Sequence, residues 1–262
     1  MMDIAQFDKG TETRLSVFGP DYAQAQAAKT DEFSRVMRDF GIEYNWASIW
    51  SRPNLDYKTR GFLNIATLTA LKLPNQLADH VRGALKNGAT PIEIREVLLQ
   101  SAAYVGVAAG AAAFGVALTV VTEAGLQNQM PSESEPTYGP GELLAYGHKV
   151  REEVFGSEHV RNTATDDPFT KESRQQQIAY IFGAIWGRGV LDYKTRSLLN
   201  VATMIALGRA PELELYMKSA VRHGATADEI KEVLLQASVY AGVAAGAEGF
   251  RVAKKVLADA TA

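Results

Sequence analysis

Six residues, LDYKTR, occur twice in this chain of 262 residues, at 55–60 and again at 191–196. Each copy ends in an arginine, Arg60 or Arg196, whose guanidinium group can bind a carboxylate through two parallel hydrogen bonds. An aspartate stands four residues before each arginine (Asp56 in the first copy), so an ion pair within one helical turn is the alternative. The repeat therefore predicts either carboxylate-binding sites or structural ion pairs.

His80 is the second candidate for chemistry. An imidazole with its ordinary pKa suits a proton donor near neutral pH, and the alternative is a histidine that only satisfies an interface. The corresponding position of the second copy holds Tyr216, which can donate a hydrogen bond but is a poor acid at pH 7. The sequence therefore predicts that the copies differ, the first being catalytic and the second altered.

A glutamate recurs in the repeated sequence EVLLQ, as Glu96 and Glu232. On a mostly apolar helix this carboxylate could orient His80 or relay its proton. It could equally pair with a neighbouring basic residue, such as Arg95 or Lys231, on an exposed helix face. Both uses remain open from the sequence.

The composition narrows the classes of function. The chain has no cysteine, which excludes disulfides, thiolate metal sites, cysteine nucleophiles and dithiol redox chemistry. Its net charge of −3 and its dispersed basic residues give no sign of a nucleic-acid or anionic-membrane partner. The N-terminal residues lack the apolar stretch of a signal peptide, so we expect a cytoplasmic protein.

One stretch, 101–121, carries no charge and is about long enough to span a bilayer. It is rich in alanine and glycine, however, and its counterpart at 237–257 contains a glutamate, an arginine and two lysines. We therefore expect both stretches to be core helices rather than membrane spans. In the first, Gly106 and Gly110 should let another helix approach closely, as their counterparts should in the second.

The chain reads as a tandem duplication. Segments 87–100 and 223–236 match at the spacing of LDYKTR, which is 136 residues. The spacing changes by one only near the start, where VFG recurs at 17–19 and 154–156. A repeat of this length is a duplicated domain rather than a short solenoid unit.

Helical periodicity dominates each copy and no hairpin signature is present, which predicts an all-α fold of two tandem domains. We place the domains at 1–126 and 143–262, joined by a linker rich in proline, serine and glutamate at 127–142. Inside each domain a glycine can end one helix, and a capping box starts the next, with Thr90 and Glu93 in the first copy.

The segments IWSRPNLDYKTRGFLNIATLTAL and HVRGALKNGATPIEIREVLLQSAAYVGVAAGAAAF, together with their second copies, closely resemble the carboxymuconolactone decarboxylase family and its AhpD-like helical fold. The resemblance implies helical units that assemble as trimers or hexamers. With two units per chain, a homotrimer would rebuild the hexamer. One branch of the family decarboxylates a carboxylated muconolactone to an enol-lactone in bacterial aromatic catabolism, with no metal and no other cofactor.

Another branch of the family consists of dithiol peroxidase-type proteins. Their motif resembles two cysteines separated by two residues and followed by a histidine at the position of His80. The cysteines would fall at Leu73 and Gln76, and in the second copy at Arg209 and Glu212. Because none is present, we do not expect peroxidase activity.

The decarboxylase branch implies roles for the residues above. A catalyst must hold a spectator carboxylate, stabilise the oxyanion of a dienolate and deliver a proton to carbon. We expect His80, Arg60 and Glu96 to be catalytic. Residues expected to bind a small carboxylated lactone, with packing as the alternative for the tyrosines and the tryptophan, are Tyr104, Trp50, Arg196, Tyr216, Glu232 and Tyr240.

One departure leaves other functions open. The decarboxylases that the chain resembles usually read GVPAAN after the tyrosine, whereas both copies here read GVAAGA. A pocket reshaped in this way could serve a lactone isomerase or hydrolase that releases no carbon dioxide. It could also belong to an assembly or binding protein without catalysis.

Overall fold

The computed structural model describes residues 3–129, 137–139, 141–164 and 167–260, and within them every regular element is helical. The all-α prediction is confirmed. The first repeat contributes α1 (Ile4–Phe18), α2 (Pro20–Ala28), α3 (Arg35–Gly41), α4 (Tyr57–Leu71), α5 (Pro74–Lys86), α6 (Pro91–Val105) and α7 (Val107–Glu123).

The second repeat follows the same order after a 3₁₀ turn at Gln127–Gln129. The predicted linker, 127–142, lies in large part outside the described residues, so the domain bounds stay predictions. The helices of this repeat are α8 (Glu142–Phe155), α9 (Ser157–Asn162), α10 (Pro168–Gln176), α11 (Tyr193–Leu207), α12 (Ala210–Arg222), α13 (Ala227–Ala241) and α14 (Val243–Asp259).

A wider, π-type helix continues α3 and α10, at Ile42–Trp50 and Gln177–Trp186. Its backbone hydrogen bonds span five residues, as from the amide of Ser51 to the carbonyl of Trp46 at 3.2 Å. Such helices are rare, and they re-aim side chains at functional sites. Nothing in the apolar periodicity predicted them.

Each π-type segment lies against the first helix of its repeat at a glycine. A Cβ atom at Gly10 would collide with the carbonyl of Ile42, and one at Gly147 would collide with the carbonyl of Ile178. The two close approaches are equivalent, although the glycines are 137 residues apart and the isoleucines 136. They fix which residues of the two repeats correspond.

The caps confirm the predicted helix starts. Thr90 and Glu93 form the reciprocal capping box of α6, and the same box recurs at the start of α13. Asp56, which precedes α4, accepts a hydrogen bond from the amide of Thr59 at 2.7 Å. The predicted ion pair between Asp56 and Arg60 is therefore wrong, because the carboxylate caps its own helix instead.

The apolar stretch 101–121 is not a single helix, contrary to our expectation. Helix α6 ends at Val105, and Gly106, with φ of 93°, turns the chain into α7. Only Gly110 permits a close approach, to Ala102 of α6. Among the described residues, no helix is long and apolar enough to cross a bilayer.

One hydrophobic core runs through both repeats. Helices α4 and α11, which carry the LDYKTR arginines, lie at its centre and pack against each other, and each also packs against the α6 or α13 helix of the other repeat. Leu63, Ile65 and Leu199 are at most 1% exposed. Burial of each such side chain contributes roughly 1.5–3 kcal/mol to folding. The two halves thus stabilise each other, and residues of one half can reach the site of the other.

Candidate active site

His80 lies on α5, 5% exposed, with its ring between aromatic neighbours. The Trp50 ring stacks on it at 5.7 Å and 16°, and Phe18 lies 5.3 Å away. Burial lowers the pKa of His80 to about 3, so the imidazole is neutral at pH 7. The ordinary pKa that the sequence analysis assumed for His80 therefore does not hold, and its catalytic role stays a prediction. A neutral imidazole can instead donate one hydrogen bond and accept another.

The partner of His80 comes from the second repeat. The hydroxyl of Tyr240, on α13, lies 3.0 Å from His80 Nε2, and Asn64 Nδ2 donates to the same hydroxyl at 2.8 Å. Asn64 Nδ2 is also 3.3 and 3.4 Å from the two ring nitrogens. Because it is nearly equidistant from them, it lies over the ring rather than in line with either lone pair.

A chain of hydrogen bonds with fixed directions leads to this tyrosine. Arg60 Nη1 donates to Gln236 Oε1 at 2.9 Å, which leaves Gln236 Nε2 to donate to Asn64 Oδ1 at 3.1 Å. The amide of Asn64 then donates to Tyr240. The Tyr240 hydroxyl can in turn donate to His80 Nε2, which lies 3.0 Å away. We therefore assign the proton of neutral His80 to Nδ1.

Arg60 itself is fully buried and does not line the cavity beside His80. Its guanidinium pairs with Glu232 of the second repeat at 2.9 Å and donates to the carbonyl of Arg52 at 3.0 Å. Arg52 Nε pairs with the other oxygen of Glu232 at 2.7 Å. The expectation that Arg60 and His80 converge on one substrate is wrong, because a buried carboxylate occupies the guanidinium.

The mirror arrangement holds Glu96, which is also fully buried. Glu96 accepts from Arg188 at 2.9 Å and from Arg196 at 3.2 Å, and Arg95 approaches at 3.3 Å. Pairing with Arg95 was one of the predicted uses, but the site is buried rather than an exposed face. Glu96 does not contact His80, so the predicted catalytic role for Glu96 is not supported by its position.

A cavity of about 390 Å³ opens above His80 and Tyr240. Its walls come mainly from α1, α2, α3, the first π-type segment and α5, and they carry both aromatic rings and charged groups. Arg14 and Lys29 line it, and neither forms an ion pair within the described part of the chain. The cavity therefore offers two positive charges to an anion.

Asp79, also in the wall, is the acidic group nearest in sequence to His80. Burial raises the pKa of its carboxyl group, and it outweighs the opposing hydrogen bond from Tyr22 and the charges of Arg82 and Lys29. The Tyr22 hydroxyl donates to Asp79 Oδ2 at 3.2 Å. A carboxyl group with a raised pKa can hold a proton and transfer it.

Sequence reasoning missed Arg14, Lys29 and Asp79. Two signals were available: Asp79 adjoins His80, and Arg14 recurs as Arg151 at the spacing of the VFG repeat. The apolar periodicity could not show that α1 and α2 fold over α5, because their own helix faces carry few apolar residues.

The other predicted binding residues divide between the repeats. Tyr240 lines the cavity, whereas Trp50 does not line it and stacks on the His80 ring. In the second repeat Tyr216 donates to the hydroxyl of Tyr104 at 2.9 Å, and Trp186 Nε1 donates to it at 2.9 Å. None of the remaining predicted residues lines the His80 cavity, namely Tyr104, Arg196, Tyr216 and Glu232.

No set of three or more carboxylates and imidazoles comes together as a metal-binding cluster within 3–129, 137–139, 141–164 and 167–260.

Comparison with known proteins matches both halves of the chain. The model described as "Carboxymuconolactone decarboxylase family" matches residues 38–119 and 172–255. A protein of Acinetobacter baylyi named 4-carboxymuconolactone decarboxylase is 34% identical over 114 residues, which is 43% of this chain and 85% of that protein. A protein of Metarhizium robertsii named nitrosuccinic acid decarboxylase is 36% identical over 100 residues, which is 38% of this chain and 70% of that protein.

Proposed function

The chain belongs to the carboxymuconolactone decarboxylase family, and from that premise we propose that it is a carboxy-lyase for a small carboxylated lactone of the carboxymuconolactone type. The His80 cavity carries the proposal, because it combines two cations, a neutral hydrogen-bond donor and a carboxyl group with a raised pKa. Two relatives that are named decarboxylases support it. The aromatic-catabolism setting is part of the same proposal.

Arg14 and Lys29 bind the spectator anionic group of the substrate. The carboxylate that leaves points toward Phe18 and Trp46, where aromatic rings replace water. Loss of hydration destabilises a carboxylate more than the neutral carbon dioxide that it becomes. Binding in this orientation therefore lowers the barrier to decarboxylation.

In the chemical step the bond between the carboxyl carbon and the lactone ring breaks, and its electron pair moves into the unsaturated lactone. Negative charge develops on an oxygen, where the Nδ1–H of His80 donates a hydrogen bond. A proton from solvent then reaches carbon by way of Asp79, whose carboxyl group has a raised pKa and accepts a hydrogen bond from Tyr22. Every atom and electron is accounted for without another reactant.

The nitrosuccinic acid decarboxylase supports a second candidate substrate. Nitrosuccinic acid is an acyclic dicarboxylic acid in which a nitro group, rather than a lactone, accepts the electron pair. The same three elements of the cavity would serve it, since its second carboxylate needs cations and its nitronate oxygen needs a donor.

The test is to incubate the protein with 4-carboxymuconolactone and, separately, with nitrosuccinate, and to measure carbon dioxide release. We expect His80→Ala to lower kcat by roughly 10²–10³, as for loss of one oxyanion donor. Tyr216→Phe is the matched control in the second repeat and should keep full activity. Lactone turnover without carbon dioxide would favour an isomerase or hydrolase. No turnover of either acid would leave a binding protein.

We also propose that three chains assemble into a pseudo-hexamer. Exposed apolar side chains on α7 and α14 support this, because Val107, Leu118 and Val243 are 84%, 63% and 82% exposed. An association of chains would remove such side chains from water. Light scattering checks the assembly, and a monomeric mass would contradict it.

A further inference from the structure

A buried row of side chains joins the arginine of the first LDYKTR to the histidine of the cavity, and its members come from both repeats. Arg60, Asn64 and Gln236 are all fully buried. Gln236 lies on α13 of the second repeat, and Asn64 lies on α4 between Gln236 and Tyr240. None of the three lines the cavity, so any effect that they have on chemistry there has to pass through Tyr240 and His80, which do line it.

The arginine imposes one direction on this row. A guanidinium group has donors and no acceptor, so the side-chain oxygen of Gln236 has to face Arg60, at 2.9 Å. The Gln236 nitrogen then faces the oxygen of Asn64, at 3.1 Å, and the Asn64 nitrogen faces the Tyr240 hydroxyl, at 2.8 Å. The orientation of both amides thus follows from the hydrogen-bond network that begins at Arg60.

The oxygen of Tyr240 is approached by donors. Burial raises the pKa of Tyr240, and contacts from Asn45, Trp50 and Asn64 oppose this shift, as donors to a phenolic oxygen do. The single proton of the hydroxyl is therefore directed to His80 Nε2, 3.0 Å away. The hydrogen bond made by one nitrogen of a neutral imidazole decides whether the other nitrogen carries the proton.

The second repeat contains the same row and ends it differently. Arg196 Nη1 donates to Gln100 Oε1 at 2.9 Å, and Gln100 Nε2 donates to Asn200 Oδ1 at 3.1 Å. The corresponding tyrosine, Tyr104, accepts a hydrogen bond from another tyrosine instead of donating one to a histidine. The second row therefore has no imidazole to orient, and it supplies a matched control.

We propose that Gln236 of the second repeat is a positioning residue for His80 and holds the imidazole proton on Nδ1. It acts through Asn64 and Tyr240. The consequence for catalysis rests on the proposed function, in which the Nδ1 proton meets the oxygen where negative charge develops. A side chain of the back half thus selects which nitrogen of the front-half histidine can donate.

Gln236→Glu should reverse the row without a change in side-chain length. A carboxylate accepts from Arg60 but cannot donate to Asn64, so the Asn64 amide has to turn over and present its oxygen to Tyr240. The Tyr240 hydroxyl then donates to Asn64, and its oxygen accepts from His80 Nε2. We expect the proton of His80 to move from Nδ1 to Nε2.

The new carboxylate should be ionised, because it contacts Arg60 while Arg52 also neutralises Glu232. A protonated acid would donate to Asn64 as glutamine does, and the switch would then appear only at alkaline pH. Spectra are therefore recorded at neutral and at alkaline pH.

Long-range proton–nitrogen NMR spectra of the full chain without substrate show which nitrogen of each imidazole is protonated. His80→Gln identifies the His80 signals among those of the four histidines. Gln236→Met breaks the row without adding a charge and should leave both tautomers populated. Gln100→Glu makes the matching change in the second repeat and should leave the His80 signals unchanged.

The proposal is overturned if wild type carries the His80 proton on Nε2, or if Gln236→Glu keeps the wild-type tautomer at both pH values. It is also overturned if Gln100→Glu moves the proton as Gln236→Glu does. Should Gln236→Glu fail to fold, Gln236→Met decides, and a single unchanged tautomer in that variant overturns the proposal.

Turnover gives a second readout. Gln236→Glu should lower kcat by roughly 10²–10³ and change KM little, because the developing negative charge loses its donor. Gln100→Glu should keep the wild-type kcat. If the tautomer switches as expected but wild type releases carbon dioxide from neither acid, the proposed function fails and this inference survives.

Discussion

The two repeats keep the same scaffold and differ in what their cavities contain. In both, an arginine at the end of LDYKTR crosses to a glutamate and a glutamine of the other repeat, at 2.9–3.2 Å. In the first repeat the hydrogen bonds continue through Asn64 and Tyr240 to a histidine. In the second repeat, the hydroxyl of Tyr216 donates to the hydroxyl of Tyr104 in the buried interior, and no histidine takes part.

The difference teaches that duplicated helices can retain their packing while one side chain changes where a hydrogen-bond network ends. The crossed ion pairs are fully buried, so they tolerate little change. At the equivalent position His80 faces a cavity and Tyr216 faces the ring of Tyr104, and both environments accommodate an aromatic side chain. Sequence similarity between the repeats therefore indicates a shared fold and does not by itself indicate a shared activity.

The largest expected effect tests the shared scaffold. Arg60→Leu should destabilise the protein by about 3–5 kcal/mol, because it leaves the buried charge of Glu232 with one partner fewer. Arg196→Leu should cost about as much, by the same argument for Glu96. Urea denaturation measures both. The symmetry of the scaffold would be refuted if one of these substitutions were nearly neutral.

A control for this pair is the double variant Arg60→Leu with Glu232→Leu, which removes both buried charges. We expect it to be more stable than Arg60→Leu alone, since apolar pairs often replace buried ion pairs without loss.

The next effect is a pH dependence of the folding stability, which we expect from His80 of the first repeat and not from its counterpart Tyr216. Burial lowers the pKa of His80 to about 3 in the folded protein, whereas the pKa in the unfolded chain is about 6.5. Between these two pH values the unfolded chain binds one proton more than the folded chain does. Stability contributed by neutral His80 is complete above about pH 6.5 and falls by up to about 1.4 kcal/mol per unit as the pH drops toward 3. Denaturation at several pH values should show this slope.

His80→Gln should flatten the slope, and the exposed His148→Gln should not change it. An equal slope in wild type and His80→Gln would show that the imidazole is not held neutral.

A smaller effect tests the hydrogen-bond route to the first cavity. Tyr240→Phe removes the donor to His80 Nε2, so both tautomers should appear in the nitrogen NMR spectrum of the free protein. The decarboxylase activity should fall about 5- to 10-fold, the equivalent of one ordinary hydrogen bond. Tyr104→Phe, its counterpart, should alter neither. A single unchanged tautomer in Tyr240→Phe would contradict our assignment.

The smallest effect compares two tryptophans at corresponding positions. Trp186 Nε1 donates to the Tyr104 hydroxyl at 2.9 Å, whereas Trp50 Nε1 approaches the corresponding Tyr240 hydroxyl without the geometry of a full hydrogen bond. Trp186→Phe should therefore cost about 1 kcal/mol more stability than Trp50→Phe, because the hydrogen bond that it removes is the better formed of the two. Thermal and urea unfolding of the two variants measure the difference, and equal losses would contradict it.

The sequence predicted the parts of this molecule that local rules control. The capping boxes, the helix that LDYKTR begins and the duplication are all local or repetitive signals, and the structure bears them out. The partner of Arg60 could not be predicted in this way, because Glu232 lies 172 residues away in the chain. Only the packing of α4 on α13 brings the two together.

The same limit explains the candidate site. His80 was identified from its residue type, but its neutral state follows from burial between Trp50 and Phe18, which no spacing records. Asp79 was overlooked because an acidic residue on a polar helix face usually faces solvent. Its wall position depends on α1 and α2 folding over α5.

The crossing of glutamates between the halves has a consequence for how this gene could have diverged. In a dimer of identical single-repeat subunits, any codon change alters both sites at once. In the fused chain, Tyr240 and Glu232 are encoded in the back half, yet Tyr240 contacts His80 and Glu232 pairs with Arg60 of the front half. A mutation in one half can therefore change contacts made by the other half. If the gene were split at the middle, Arg60 and His80 would be encoded apart from Glu232 and Tyr240, the residues that they contact.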